Sequence, residues 1–127
     1  MIGDIITRLL ADSRISADVS GRIFPVHVDQ DAELPAIMVT ITDMETNPTK
    51  TGTSSDDIIE LDVTVYSRTA KQGFDVAENI RTSLDNFTGT MGTTEVQSLR
   101  FESLNLNHFA GDDVYICGSE YTAHIQR

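Results

Sequence analysis

Three histidines are the residues of this chain best suited to bind a metal ion, but their spacing does not favour a site. His27, His108 and His124 fall in separate segments and form neither an HxH nor an HxxH pair. Such pairs place two imidazoles on one face of a strand or helix, an arrangement from which zinc sites are commonly built. We therefore predict no bound metal ion.

The acidic residues form no catalytic or calcium-binding pattern. The stretch from Asp29 to Glu33 begins like a calcium loop, but Leu34 stands where that loop needs glycine and Thr40 where it needs a bidentate glutamate. The pairs Asp56-Asp57 and Asp112-Asp113 adjoin predicted loops, in which charged residues are common. No phosphate-binding loop and no GxSxG nucleophile motif is present. We expect no catalytic residues and no cofactor, and hence a protein that is not an enzyme.

Composition limits the class of partner. The chain has 127 residues and a net charge of -11, from 20 acidic against 9 basic residues. Such a surface repels the phosphates of nucleic acids and of anionic membranes. No apolar run approaches the roughly 20 residues that span a bilayer, and the single Cys117 fits a reducing compartment. The sequence predicts a soluble protein with one domain over residues 1–127.

Hydrophobic periodicity predicts two helices that could position functional residues. Apolar residues from Ile2 to Leu10 recur at helical spacing, and this first helix is expected to end near residues 12–14. The second carries apolar residues from Phe74 to Phe87 on one face, after a cap at Ser67 or Thr69. Gly89 is expected to end it in a left-handed conformation.

Alternation of apolar and polar residues predicts the strands. The expected strands are a short edge segment at 21–25, a strand from Ala36, and longer strands at 58–66, 94–106 and 114–125. The apolar phase changes between Phe101 and Leu104, which predicts a bulge or a bend. We predict an α+β fold with a mainly antiparallel four- to five-stranded sheet, two helices packed on one face and a long polar hairpin loop.

The long polar loop is the first candidate for a functional segment. A loop of this length either has a function or has no fixed shape, and the sequence leaves both open. As a functional segment it would contact a neighbouring subunit. Its residues are Thr46, Asn47, Pro48, Thr49, Lys50, Thr51, Gly52, Thr53, Ser54 and Ser55.

The polar side of the predicted sheet is the second candidate. Glu60, Asp62 and Thr64 alternate with apolar residues and share one face of a strand. One interpretation is a face in contact with solvent, and the other is a face that lines a lumen or meets another subunit. Neighbouring strands are expected to extend this face through Thr40, Thr42, Arg100, Glu102, Glu120 and Thr122.

Several stretches in order along the chain resemble the bacteriophage tail-completion proteins, also called tail terminators or head-tail joining proteins. The resemblance lies in the first helix leading into Gly21–Pro25, in Leu34-Pro-Ala-Ile-Met-Val-Thr, and in Leu61-Asp-Val-Thr-Val-Tyr-Ser-Arg running into a helix from Ala70 to Leu84. It continues through Asn86–Gly92 and Val96-Gln-Ser-Leu-Arg-Phe-Glu to a closing strand.

The resemblance implies a structural virion protein. It implies a homo-oligomeric ring, usually of six copies, at the head-proximal end of the tail tube, where the ring ends tube growth and joins the tail to the head or neck. The implied partners are the major tail tube protein and a head-neck connector or stopper protein, with DNA passing through the lumen unbound and no membrane involved. The implied location is the tail-neck junction of a virion assembled in the host bacterial cytoplasm. Another neck or minor tail protein of the same fold, or a small ligand-binding domain, stays an alternative.

Overall fold

The computed structural model describes residues 2–25, 33–46, 56–109, 111 and 113–126. Within these residues the chain forms three α-helices and six β-strands. The helices are α1 (Ile2–Ala11), α2 (Ser13–Val19) and α3 (Ala70–Leu84). The strands are β1 (Ile23–Pro25), β2 (Ala36–Thr46), β3 (Asp56–Ser67), β4 (Phe87–Met91), β5 (Thr94–Phe109) and β6 (Val114–Gln126).

The strands form one curled, mixed sheet in the order β1-β2-β3-β6-β5-β4. Only β1 and β2 pair in parallel, and the other neighbours are antiparallel. The predicted fold class is therefore wrong, because we expected four or five mainly antiparallel strands with two helices. The missed elements are α2 and β4, and both are short segments whose sequence periodicity covers too few residues to identify them.

A single hydrophobic cluster joins the helices to one side of the sheet. Ile5 and Leu9 of α1 are fully buried, as are Ile59 and Leu61 of β3. The strand residues of this cluster alternate with polar ones, which point to the opposite side of the sheet. No helix of the described chain packs on that opposite side. We call the helix-covered side the core face and the opposite side the outer face.

The first predicted helix corresponds to α1, which ends at Ala11, and α2, which was not predicted, follows it directly. The side chain of Asp12 accepts a hydrogen bond from the backbone N–H of Arg14 and caps α2, which separates it from α1. Of the two predicted caps of α3, Ser67 and Thr69, the structure has Thr69, whose Oγ1 accepts a hydrogen bond from Gln72 N at 3.1 Å. Gly89 does not end that helix, because α3 stops at Leu84 and Gly89 lies within β4.

The bulge predicted in β5 is confirmed. Its register against β6 shifts between Phe101 and Ser103. Before the shift, Phe101 packs on buried Tyr121 with ring centroids 5.6 Å apart, and after it Leu104 contacts the hydrophobic cluster. The extra residue, Glu102, thus allows both apolar residues to face the helices.

The N-terminal helix is fixed to the turn between β4 and β5. The carboxylate of Asp4 accepts hydrogen bonds from Thr94 Oγ1 and, at 3.5 Å, from Thr93 N. These bonds lower the pKa of Asp4 against a smaller opposing effect of burial. The turn approaches closely because it contains Gly92, whose φ is +60°.

Candidate functional site

The outer face brings together the polar residues that the sequence predicted as one surface. Sheet pairing places Asp62 between Thr40 and Glu120, and Glu120 opposite Ser103. A neighbouring row runs from Glu60 through Thr122 to Arg100. The pairing therefore extends the stripe of β3 across β2, β6 and β5.

Four carboxylates and one guanidinium dominate this part of the outer face. Glu60, Asp62, Glu102 and Glu120 line a shallow depression of about 320 Å³. Arg100 is exposed in the adjoining row, and the described structure gives no ion pair to any of these five residues. Because the charges are not neutralised locally, the surface carries a net negative field.

Among the carboxyl groups of this surface, Asp62 has a raised pKa. Partial burial raises the pKa of Asp62, and repulsion by the neighbouring Glu120 raises it further. Glu120 also accepts a hydrogen bond from Ser103 Oγ at 3.1 Å. That bond orients the Glu120 carboxylate on the strand next to Asp62.

Thr64 is less accessible than its place in the polar stripe suggests. Its residue surface is only 8% exposed, and it lies beside Asp62, Asn105 and Glu120 around a second depression of about 170 Å³. A ligand reaching this depression would meet amide and carboxylate oxygens.

The other end of the outer face is apolar, which the sequence analysis missed. Tyr66 pairs with Ile116 on one side and Ala36 on the other. Its hydroxyl lies 4.0 Å from the sulfur of Met38, and burial raises the pKa of Tyr66. The signal was present in the sequence, since Met38 and Tyr66 alternate in phase with the polar residues and not with the core.

The second predicted site falls mostly outside the described residues. Thr46 is the last residue of β2 and pairs with Asp57. The segment from Asn47 to Ser55 is not described, so the interpretation of this loop as a subunit contact stays a prediction.

The residues considered for metal binding or reactivity lie apart. His108 Nε2 is 3.0 Å from Asp113 Oδ1 and stacks on Tyr115, whereas His124 lies on β6 opposite Ile58. His27 is outside the described residues. Across the parts of the chain that are described, no group of three or more His, Cys, Asp or Glu side chains could hold a metal ion.

Burial raises the pKa of the Cys117 thiol, with a smaller contribution from Glu78, which disfavours the reactive thiolate.

None of the described helices combines the length and the apolarity that crossing a bilayer requires.

Both lateral edges of the sheet are only partly covered. At one edge, β1 pairs with β2 from Ile37 to Val39. At the other, β4 pairs with β5 as far as Leu99, and the carboxylate of Asp85 accepts a hydrogen bond from Phe101 N at 2.9 Å. Among the described strands, none pairs with the remaining parts of these two edges, which sequence periodicity could not reveal because it does not specify strand neighbours.

Comparison with known proteins adds a family and a fold. The family model described as "Tail completion protein gp17" matches residues 3–106. No curated protein matches the chain. A chain of the solved structure "Virion of native gene transfer agent (GTA) particle" superposes with a TM-score of 0.79 and 13% identity, covering 100% of this chain and 95% of that chain. At this identity the likeness shows the fold alone.

Proposed function

Since the chain belongs to the tail completion protein gp17 family, a family of structural bacteriophage tail proteins, we propose that it forms a ring of six copies at the head-proximal end of the tail tube. The ring ends tube growth and joins the tail to the head or neck. The family match over residues 3–106 is the observation that carries this proposal, and it agrees with the resemblance found in the sequence.

The outer face is the part of the molecule that suits the lumen of such a ring. The four carboxylates around its depression outnumber the guanidinium of Arg100 in the adjoining row, and each chain carries a net charge of -11. Six copies would carry 6 × -11 = -66, of the same sign as DNA. A negatively charged wall repels the phosphate backbone, so that DNA passes without binding.

The proposed ring has three kinds of contact. Neighbouring copies meet through the loop from Thr46 to Ser55, one end of the ring meets the major tail tube protein, and the other meets a head-neck connector or stopper protein. The protein would reside at the tail-neck junction of the virion after assembly in the bacterial cytoplasm. In this role it binds and orients other proteins, and we propose no enzymatic activity.

Deletion of the gene in the parent phage tests this function. We expect negative-stain microscopy of lysates to show filled heads beside unattached tails, with many tails of abnormal length. Expression of the wild-type chain from a plasmid should restore joined virions. Intact virions of normal tail length in the deletion lysate would contradict the proposal.

The same images separate the terminator from another neck protein. Loss of a terminator changes the length of the tail tube, whereas loss of a neck protein on the head side leaves free tails of normal length. A saturable thermal shift with a small molecule, and no defect in virions, would instead favour a ligand-binding domain.

A further inference from the structure

The edge of β5 is open over seven residues, from Ser103 to Phe109, in the described structure. We call this segment the β5 edge. The backbone N–H and C=O groups of alternate residues bond to β6, and those of the residues between them point away from β6 without a partner strand among the described residues. At about 3.3 Å per residue this edge extends roughly 20 Å. An edge of this length is a template for pairing with another strand.

Beyond the bulge at Glu102, the β5 edge lacks the lysine, proline and acidic residues that normally prevent such pairing. Its sequence, Ser-Leu-Asn-Leu-Asn-His-Phe, contains no lysine, proline or acidic residue, although the whole chain carries a charge of -11. Leu106 is 37% exposed and Phe109 57% exposed. A strand edge that has exposed apolar side chains and no lysine, proline or acidic residue indicates an interaction surface.

A second open edge lies on the opposite side of the same sheet. It is the part of β2 from Thr40 to Thr46, which we call the β2 edge. Met44 on this edge is 53% exposed, and it lies on the core face because it pairs with buried Ile59. Leu106 of the β5 edge is on the same face, since it pairs with buried Cys117.

The two edges differ in charge. The β2 edge carries Asp43 and Glu45, both exposed and both on the outer face opposite β3 residues Glu60 and Ile58. An acidic edge would repel another acidic edge and accept a neutral one. The β5 edge presents Asn105 and Asn107 on that face, and these side chains can donate hydrogen bonds to carboxylates.

The strand directions also match. Each neighbouring pair from β2 through β3 and β6 to β5 is antiparallel, so β5 runs opposite to β2. When a copy is placed beside β5 by rotation about an axis along the strands, its β2 therefore meets β5 in antiparallel orientation. The antiparallel ladder is the commoner arrangement for adjacent strands and needs no crossover connection.

From these observations we propose that the β5 edge of one copy pairs with the β2 edge of a second copy of this chain, which joins the two sheets into one continuous sheet. The contact covers Met44 and Leu106 together and places Asp43 and Glu45 beside the asparagines of β5. This inference rests on the proposed ring, since the contact is head-to-tail and repeats from copy to copy. It adds to the proposed loop contact a pairing of two strands within the described structure, and the loop follows directly on the β2 edge.

Cysteine cross-linking inside assembled virions tests the contact. We would complement the deletion phage with chains carrying one cysteine on each edge, combining Asp43→Cys or Glu45→Cys with Asn105→Cys or Asn107→Cys. All four positions face the same side, so one of these pairs should fall within the distance that a disulfide requires. Oxidised virions should then give a ladder of covalent multimers on a non-reducing gel.

Matched variants distinguish the proposed contact from a two-fold contact and from random collisions between copies. Glu78→Cys on the exposed side of α3 replaces the β2-edge cysteine and should give no ladder. Asn107→Cys alone should give no dimer, because a head-to-tail contact does not bring two β5 edges together. A two-fold contact between two β5 edges, which is the main alternative, would give a dimer. A dimer from that single variant, or virions that assemble normally without any ladder from the four pairs, would overturn the proposed contact.

Charge reversal gives a second test that does not depend on disulfide geometry. Asn105→Glu with Asn107→Glu places acids opposite Asp43 and Glu45, and should lower the yield of joined virions at least tenfold. Adding Asp43→Lys and Glu45→Lys to the same chain should restore most of the yield. Thr7→Glu with Thr82→Glu adds the same charge on exposed helix positions and should have little effect.

The outcomes separate this inference from the proposed function. If the deletion prevents joining but the glutamate variants complement fully, the edge contact is wrong while the joining role stands. If the cross-linked ladder forms but the deletion leaves tails joined and of normal length, the copies pair as proposed and the joining role is wrong. Cross-links to a tube protein in place of a second copy would overturn the choice of partner.

Discussion

A Cβ atom added to Gly92 would overlap Oδ1 of Asp4. The two residues belong to the turn before β5 and to α1, and the missing side chain lets the turn reach the carboxylate that holds it. We expect Gly92→Ala to lower the free energy of unfolding by about 2 kcal/mol, since it combines a positive φ with a steric overlap. Urea unfolding would measure the loss.

A control glycine and a double variant test the origin of that loss. Gly3→Ala should stabilise the chain by up to about 1 kcal/mol, because Gly3 is helical and a Cβ there meets nothing within 4 Å. Gly92→Ala in an Asp4→Ala background should show only the backbone part of the cost. If Gly92→Ala were neutral in both backgrounds, the close approach would have no energetic role.

Asp62 should make stability depend on pH. Its pKa is raised above the ordinary 3.8 in the folded chain, so its contribution to stability is complete below 3.8 and is lost as the pH rises through the folded-state pKa. Asp62→Asn removes that loss and should stabilise the chain by about 0.5 kcal/mol at pH 7 and not at pH 3. Thermal unfolding at the two pH values measures this, and an equal gain at both would contradict the assignment.

The folded chain should be more stable with phenylalanine in place of Tyr121. Its hydroxyl is buried without a hydrogen-bond partner among the described residues, and burial raises its pKa. Tyr121→Phe removes an unsatisfied polar atom and should raise the free energy of unfolding by about 1 kcal/mol. Tyr66→Phe is the control, and we expect a change of less than about 0.5 kcal/mol at that half-buried outer-face position. A loss on Tyr121→Phe would mean that the hydroxyl is bonded in solution.

The charge of the outer face can be tested with DNA. Glu60→Lys with Glu120→Lys reverses two carboxylates of the proposed lumen, and we expect the assembled variant to retain double-stranded DNA on a filter at about 0.1 M salt, where wild type does not. Asp75→Lys with Glu78→Lys makes the same change of charge on α3 and should retain much less. Equal retention by the two variants would argue against a lumen formed by the outer face.

The sequence predicted those elements whose periodicity is long. The alternation in β3 and the apolar spacing of α3 extend over a dozen or more residues, and Thr69 was recognisable as a cap because threonine is favoured at that position. In contrast, α2 has only seven residues. Its signal was Asp12, which could have been recognised as a second cap.

The sequence predicted which residues of β3 share the candidate surface, but not which strands continue that surface on either side. Glu60, Asp62 and Thr64 share a face because side chains alternate along any strand. Which strand lies beside β3 is a long-range property, so the pairing of Asp62 with Glu120 and the open edges of β2 and β5 required the structure. The position of Glu102 depended on the bulge, which sequence phase did indicate.

The bond between Asp4 and Thr94 also has a consequence for synthesis of the chain. The two residues are separated by 90 positions, and bacterial translation at about 5–20 residues per second needs roughly 5–20 s to make that length. Until Thr94 has left the ribosome, α1 has nothing to anchor it at this end, and its apolar stripe at Ile5 and Leu9 lacks part of its cover. We therefore expect the N-terminal helix to dock late, and the nascent chain to be a substrate for chaperones that bind exposed apolar segments.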